Sequence, residues 1–327
     1  MLTLFKTKQD LANIFLIPYL ILIRLSIFFS PAKVDIQTYG LLTDWMFNEI
    51  NPNSFSGRFL ALFLVFVQAV FINILANRFR FSRELSLLPG LFYCLLMSLT
   101  PEFLTLNGFV LGNTFVILAL FFLLDIYKRN DRVANNIFSV GFWLGFACLF
   151  DYLYVFFFIW AIIGIVTLVR FNFKDILILL IGGFQAVFLF GVYLFYYDKL
   201  TPFFQDISQH FGWLNFYSGK VSSLFLKLSF CFSCLLFVLL MSGYIFRQQS
   251  LAIQKFLSIL YVYMFVVGFG ILFISKISVE EIMLLALPMC IMFTLIIQKL
   301  PSLFGEFLHL GIVVAALLLQ FEFLLVK

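Results

Sequence analysis

The chain is a succession of apolar runs, most of them long enough to cross a membrane, broken by short polar stretches in which lysine and arginine cluster. Inside hydrocarbon no water is present to satisfy a free N–H or C=O. A run of this kind must therefore close its backbone hydrogen bonds within itself, as a helix. A crossing takes about 20 apolar residues for a core roughly 30 Å thick. Hydrophobic residues make up 64% of the chain and charged residues 11%, against a charged share of about 25% in soluble domains. A soluble globular fold is excluded, and the lipid bilayer is the first partner implied. The net charge of +5 is no sign of nucleic acid, because its value lies in its distribution along the chain.

The basic clusters are Lys6/Lys8, Arg78/Arg80/Arg83, Lys128/Arg129/Arg132, Arg170/Lys174, Arg247/Lys255 and Lys299. Such clusters mark cytoplasmic connections, so each interval between two of them must hold an even number of crossings. Spans are expected near 11–30, 58–77, 85–101, 108–126, 137–150, 152–169, 176–197, 223–246, 256–274, 279–298 and 304–326. The fold class predicted is an all-α polytopic membrane protein with about 11 transmembrane helices, a single transmembrane domain over 1–327 with its N-terminus on the cytoplasmic side. Arg24 interrupts the first run and no small-x-small cleavage pattern precedes Pro31, so this span reads as retained and not as a signal peptide. On this topology the exterior carries more carboxylates than cations. The intervals 137–150 and 152–169 are short for full crossings, which predicts burial among other helices or a thinned bilayer, with Asp151 capping the turn between them. The apex TPEFLTLNG places Pro101, Glu102, Asn107 and Gly108 at the outer surface.

Between the first two spans, Ile36, Tyr39, Leu42, Trp45, Met46 and Ile50 recur three or four apart. The opposite face carries Gln37, Thr38, Asp44, Asn48 and Glu49. That pattern predicts an amphipathic juxtamembrane helix lying on the membrane, with Trp45 at the interface.

The order Arg24, Pro31, Asp35, Tyr39, followed by LLPGLFYCLLMSLTPEFLTLNG and GFWLGFACLF, resembles the GT-C class of integral-membrane glycosyltransferases. SLTPEFL, LGNTFVILAL, FSVGFWLGFACLF and DILILLIGGF together look like an uncharacterised family of Bacteroidota inner-membrane proteins of similar length, a likeness that covers residues 20 to 200. The resemblance implies a GT-C-like arrangement of helices and transfer of a sugar from a polyprenyl-phosphate lipid at the periplasmic face, for assembly of an envelope glycan.

In that chemistry an acceptor hydroxyl needs a carboxylate to take its proton, and a divalent metal ion can neutralise the departing phosphate. Asp35 is the expected catalytic residue and metal ligand, against the reading of an exposed loop acid. Glu102 and Asp151, both at outward apices, are the candidate second acids, against capping roles. Arg58, Lys220 and Lys227 are the candidate phosphate-binding cations, against snorkelling to the interface. His210, beside Trp213, reads as a metal ligand, a stacking group for a sugar or an ordinary loop histidine. Cys231 and Cys234 have CxxC spacing but sit in an apolar run, where packing is the expected role. Glu306 and His309 lie one turn apart and can pair. No P-loop, HExxH or GxSxG pattern occurs. The alternative of a different class is a non-catalytic GT-C-like subunit that anchors or scaffolds an envelope complex and docks a small membrane partner protein. A transporter is a third reading, weakened by the scarcity of mid-span ionisable groups.

Overall fold

The computed structural model describes residues 5, 10–29, 40–82, 86–127, 133–197, 221–246, 248–273 and 278–321. Asp35, Lys220, His210 and most of the loop expected over 199–222 lie outside the described residues. So do Ile36 to Tyr39 of the expected loop helix.

The protein is all-helical, and no strand occurs among the described residues. A 3-10 turn, Asp10–Phe15, leads into α1 (Leu16–Ile23) and the single turn α2 (Ser26–Phe29). The short α3 (Leu41–Glu49) precedes α4 (Phe55–Arg78), α5 (Leu88–Leu96), α6 (Gly108–Asp125), α7 (Val133–Cys148) and α8 (Phe157–Leu168). Then follow α9 (Phe173–Tyr196), α10 (Val221–Phe246), α11 (Leu251–Ile271), α12 (Ala286–Lys299) and α13 (Ser302–Gln320). Further 3-10 turns occupy Pro101–Leu104, Tyr152–Phe156 and Glu280–Leu285. Among the described residues six stretches are long and apolar enough to cross a membrane: α4, α6, α9, α11, α13 and Glu280–Lys299. Four apolar stretches among them are shorter, Asn13–Ile23, Val133–Cys148, Tyr152–Leu168 and Lys227–Met241. α5 has nine residues, so the region expected to cross at 85–101 is a short helix continued by a bent segment.

Burial explains how the short elements are tolerated. Every residue of α5 is buried, as are Ala286 to Ile297 of α12. These two helices pack on each other, with Phe92 stacked on Phe293 at 5.9 Å. Around them lie α1, α4, α10 and α13, while α7 and α8 lean on α6 and α11. Helices enclosed by protein need not match the bilayer thickness. By contrast α9 packs mainly on α7 and turns Ile181, Phe184, Phe188 and Phe195 outward. Apolar side chains fit such a position only where lipid is the solvent.

The bundle has two chemically distinct ends. At one, Arg78 donates to Asp125 at 2.8 Å and lies over the Phe121 ring at 4.5 Å, Lys255 covers Tyr127 at 5.3 Å, and Ser82 bonds Gln298. At the other lie the chain segments 40–58, 100–108, 149–153 and 278–283. The apex between α5 and α6 is not a surface turn as expected. Asn107 and Gly108 are buried, Asn107 Oδ1 accepts from Val110 N at 2.8 Å as the cap of α6, and its Nδ2 lies 3.3 Å from Met283 Sδ. The 3-10 turn of 280–285 covers this apex, a contact between segments more than 170 residues apart that no local pattern announces.

Candidate functional site

Four carboxyl groups converge at this second end, each delivered by the start of a helical segment. Glu102 is on the turn Pro101–Leu104, Asp151 precedes Tyr152–Phe156, and Glu280 and Glu281 open Glu280–Leu285. Turns 101–104 and 280–285 pack together. Glu102, Asp151 and Glu281 all act electrostatically on Glu280, and Glu281 acts on Asp151. Asp151 is 3% exposed, Glu280 3% and Glu281 1%, so water screens their mutual repulsion little.

Three of the four have protein partners. Asp151 Oδ1 accepts from Leu153 N at 2.8 Å, the capping role expected of it. Burial pushes the Asp151 carboxyl well above the usual carboxylate range; the Leu153 N–H draws it partly back, and the charge of Glu281 adds to the rise. Glu281 Oε2 accepts from both Ser278 N and Ser278 Oγ at 2.9 Å. Glu102 Oε1 receives Lys227 Nζ at 2.6 Å, a contact between turn 101–104 and α10, while Glu102 Oε2 is buried without a hydrogen bond. Glu280 differs. Its backbone N–H is held by Ser278 Oγ at 3.2 Å, but its carboxyl has neither a hydrogen bond nor an ion pair among the described residues.

The structure thus brings together the two expected second acids, Glu102 and Asp151, and one expected cation, Lys227, which sits on Glu102. Arg58, near the start of α4, is buried and its Nη2 lies 3.4 Å from Asn53 Oδ1. Asp35, the expected catalytic acid, lies outside the described residues, but Gly40, five positions later, is seated on the same turn as Asp151. A Cβ at Gly40 would collide with the carbonyls of Phe150 and Leu149. Leu42 N donates to Leu149 O at 3.2 Å and Thr43 Oγ1 to Phe150 O at 2.7 Å. The loop helix is therefore fastened to protein through Leu42 and Thr43. Sequence reasoning did not single out Glu280 and Glu281. The adjacent acids of SVEEIM at the start of a predicted span were the available signal.

Among the described residues no group of three or more His, Cys, Asp or Glu is placed to hold a metal ion. Cys231 and Cys234 are free thiols packed against Leu96, Leu99, Phe103 and Met289 around a cavity of about 20 Å³, as expected of packing residues. His309 accepts or donates to Tyr19 Oη at 2.7 Å within the core.

No family model, curated protein or solved structure matches the chain. What the site can do must be read from its own groups. A carboxyl oxygen without a partner in so enclosed a place is costly to maintain, and the Glu280 carboxyl and Glu102 Oε2 are both placed to accept a proton or a hydrogen bond from something that is not the protein.

Proposed function

We propose that this is a GT-C-like membrane glycosyltransferase that takes its sugar from a polyprenyl-phosphate lipid and acts at the carboxylate end of the bundle. The observation that supports the reading is the partnerless, buried Glu280 carboxyl set among Glu102, Asp151 and Glu281. In such a transfer the acceptor hydroxyl oxygen bonds to the anomeric carbon as the bond from that carbon to the phosphate oxygen breaks. The hydroxyl proton passes to a carboxylate, and the lipid phosphate leaves with the bonding electron pair. Glu280 and Asp35 are the two carboxylates assigned to this work, and Asp151 and Glu281 beside Glu280 are held by Leu153 N and Ser278. Eleven crossings, an N-terminus inside the inner membrane and a periplasmic carboxylate end complete the reading.

The second reading, a non-catalytic subunit that scaffolds an envelope complex and binds a small membrane protein, is favoured by a specific observation too. Lys227 and Glu102 neutralise each other, and Asp151 caps a helix, so both serve the fold. The two readings part at Glu280. In membranes from a strain lacking the gene, supplied with a radiolabelled sugar on polyprenyl phosphate, Glu280→Gln and Asp35→Asn should each lower transfer about a hundredfold, the scale of a lost general base, with melting temperature unchanged. Full complementation of the deletion by both variants at native expression would reject the transferase and leave the scaffold.

A further inference from the structure

Packing accounts for the burial of Cys231 and Cys234, but not for the space left beside them. On α10 the residues Lys227, Cys231 and Cys234 follow one another four and then three positions apart, so they share one face of the helix. Lys227 reaches Glu102 from that face at 2.6 Å, and farther along it the two cysteines meet α12. There they line the cavity of about 20 Å³ together with Met289. Three buried sulfur-bearing side chains thus converge on one void, which has the room of about one water molecule. Cys234 acts electrostatically on Cys231, as neighbouring sulfurs do. The other lining side chains, among them Leu96, Phe103 and Ile282, are hydrocarbon, so a water there would lack the polar partners it needs.

Such a set suits a soft monovalent ion. Thiolate and thioether ligands select Cu(I), whereas harder metals take imidazole, carboxylate and carbonyl groups, and no His, Asp or Glu lines this cavity. Cu(I) is satisfied by few ligands, so three sulfurs complete its shell without a group from elsewhere. We propose that Cys231, Cys234 and Met289 hold one Cu(I) ion between α10 and α12. As the ion enters, one thiol releases its proton to solvent, and the S–H electron pair stays on sulfur and forms the Cu–S bond. The second cysteine sulfur and Met289 Sδ donate lone pairs. One positive charge enters as one leaves, nothing is oxidised or reduced, and the site gains no net charge, as burial among hydrocarbon requires. The ion joins α10 to α12 one turn beyond the Lys227–Glu102 pair. This site is separate from Glu280 and stands whether or not the protein is a transferase.

The full-length protein, kept reduced in detergent by a reagent that carries no thiol, can compete for Cu(I) with the coloured chelator bicinchoninate. The wild type should withdraw one equivalent of Cu(I), develop a sulfur-to-copper band in the ultraviolet, and melt at a higher temperature with copper than without, as binding to the folded state demands. Cys231→Ala and Cys234→Ala should each weaken the binding by more than about a hundredfold, beyond the scale of a lost outer-shell partner. Met289→Leu, which keeps the volume and hence the fold, should weaken it by less and leave the copper-free melting temperature unchanged, so it decides the matter if a cysteine variant proves unstable. No withdrawal of copper, no rise in melting temperature, binding that is indifferent to Met289→Leu or to either cysteine variant, or displacement of Cu(I) by an equal concentration of Zn(II) would each overturn the proposal.

Discussion

At the scale of single residues, Arg24 shows how a charge is held inside an apolar bundle. It is fully buried, and its guanidinium donates from Nε to Ser98 Oγ at 2.9 Å and from Nη2 to Met97 O at 2.6 Å and Phe103 O at 3.3 Å. These acceptors follow the last turn of α5, where carbonyls lack helical partners and the helix dipole is negative. Gln320 Nε2 bonds Ser98 O and Gln320 Oε1 accepts from Ser26 Oγ at 2.8 Å, which fastens α13 to the same place. The sequence marks Arg24 only as an interruption of a span. Arg24→Met should strand these carbonyls at about 1–3 kcal/mol each and lower the melting temperature in detergent sharply, while Arg24→Lys, which keeps the charge but loses the planar fork, should fall between. A wild-type melting temperature for Arg24→Met would refute the account. Asp151 gives a prediction in pH. Its folded pKa lies above the ordinary value of about 3.9, so the stability owed to its neutral carboxyl is whole below that value and is lost as pH rises through the raised one. Asp151→Asn still accepts from Leu153 N but cannot ionise, so its melting temperature should decline less than the wild type's between about pH 5 and 9. Parallel declines would show that Asp151 is not the group responsible.

At the scale of elements, the tight α7–α9 pair was partly legible. GFWLG places glycines four apart, the spacing that lets two membrane helices approach to backbone contact, and IGG in α9 supplies the facing surface. In hydrocarbon, where apolar burial drives little, such contact depends on close packing. Gly141→Ala puts a methyl group against Leu179 O and should cost about 1–3 kcal/mol, as overpacking does. Gly191, on the same α9, has nothing within 4 Å of a Cβ, so Gly191→Ala should be neutral or stabilise through helix propensity. Equal melting temperatures for the two variants would mean that the glycine contact does not hold α9 in place. Which side of each helix faces inward was less legible. These helices are apolar all round, so periodicity cannot separate a lipid face from a protein face. That is why the outward α9 and the enclosed α5 look alike as sequence.

At the scale of the whole molecule, the basic clusters imply one end of the bundle that carries Arg78, Lys255 and Lys299; there Arg78 meets Asp125, Lys255 covers Tyr127, and Gln298, next to Lys299, bonds Ser82. They could not foretell that Glu102 meets Lys227, 125 residues away, or that 280–285 closes over Asn107, because such pairings are fixed by tertiary packing and leave no local trace. The two-ended architecture makes a test with impermeant thiol reagents direct, since Cys94, Cys148, Cys231, Cys234 and Cys290 are all buried and give little background. Asn107 is unsuitable as a reporter, being 0% exposed. Exposed positions at opposite ends are Asn51, just before α4, and Ser250, just before α11. With the carboxylate end outward, Asn51→Cys should react in cells whose outer envelope alone has been permeabilised, and Ser250→Cys should react only once the inner membrane is broken. Positive charge retained on the inner side is the physical reason for this direction. Reaction of Ser250→Cys but not Asn51→Cys would invert the orientation and move the carboxylates to the cytoplasmic face, away from any periplasmic acceptor. Reaction of both in cells with an unbroken inner membrane would mean that the two ends do not lie on opposite sides of it.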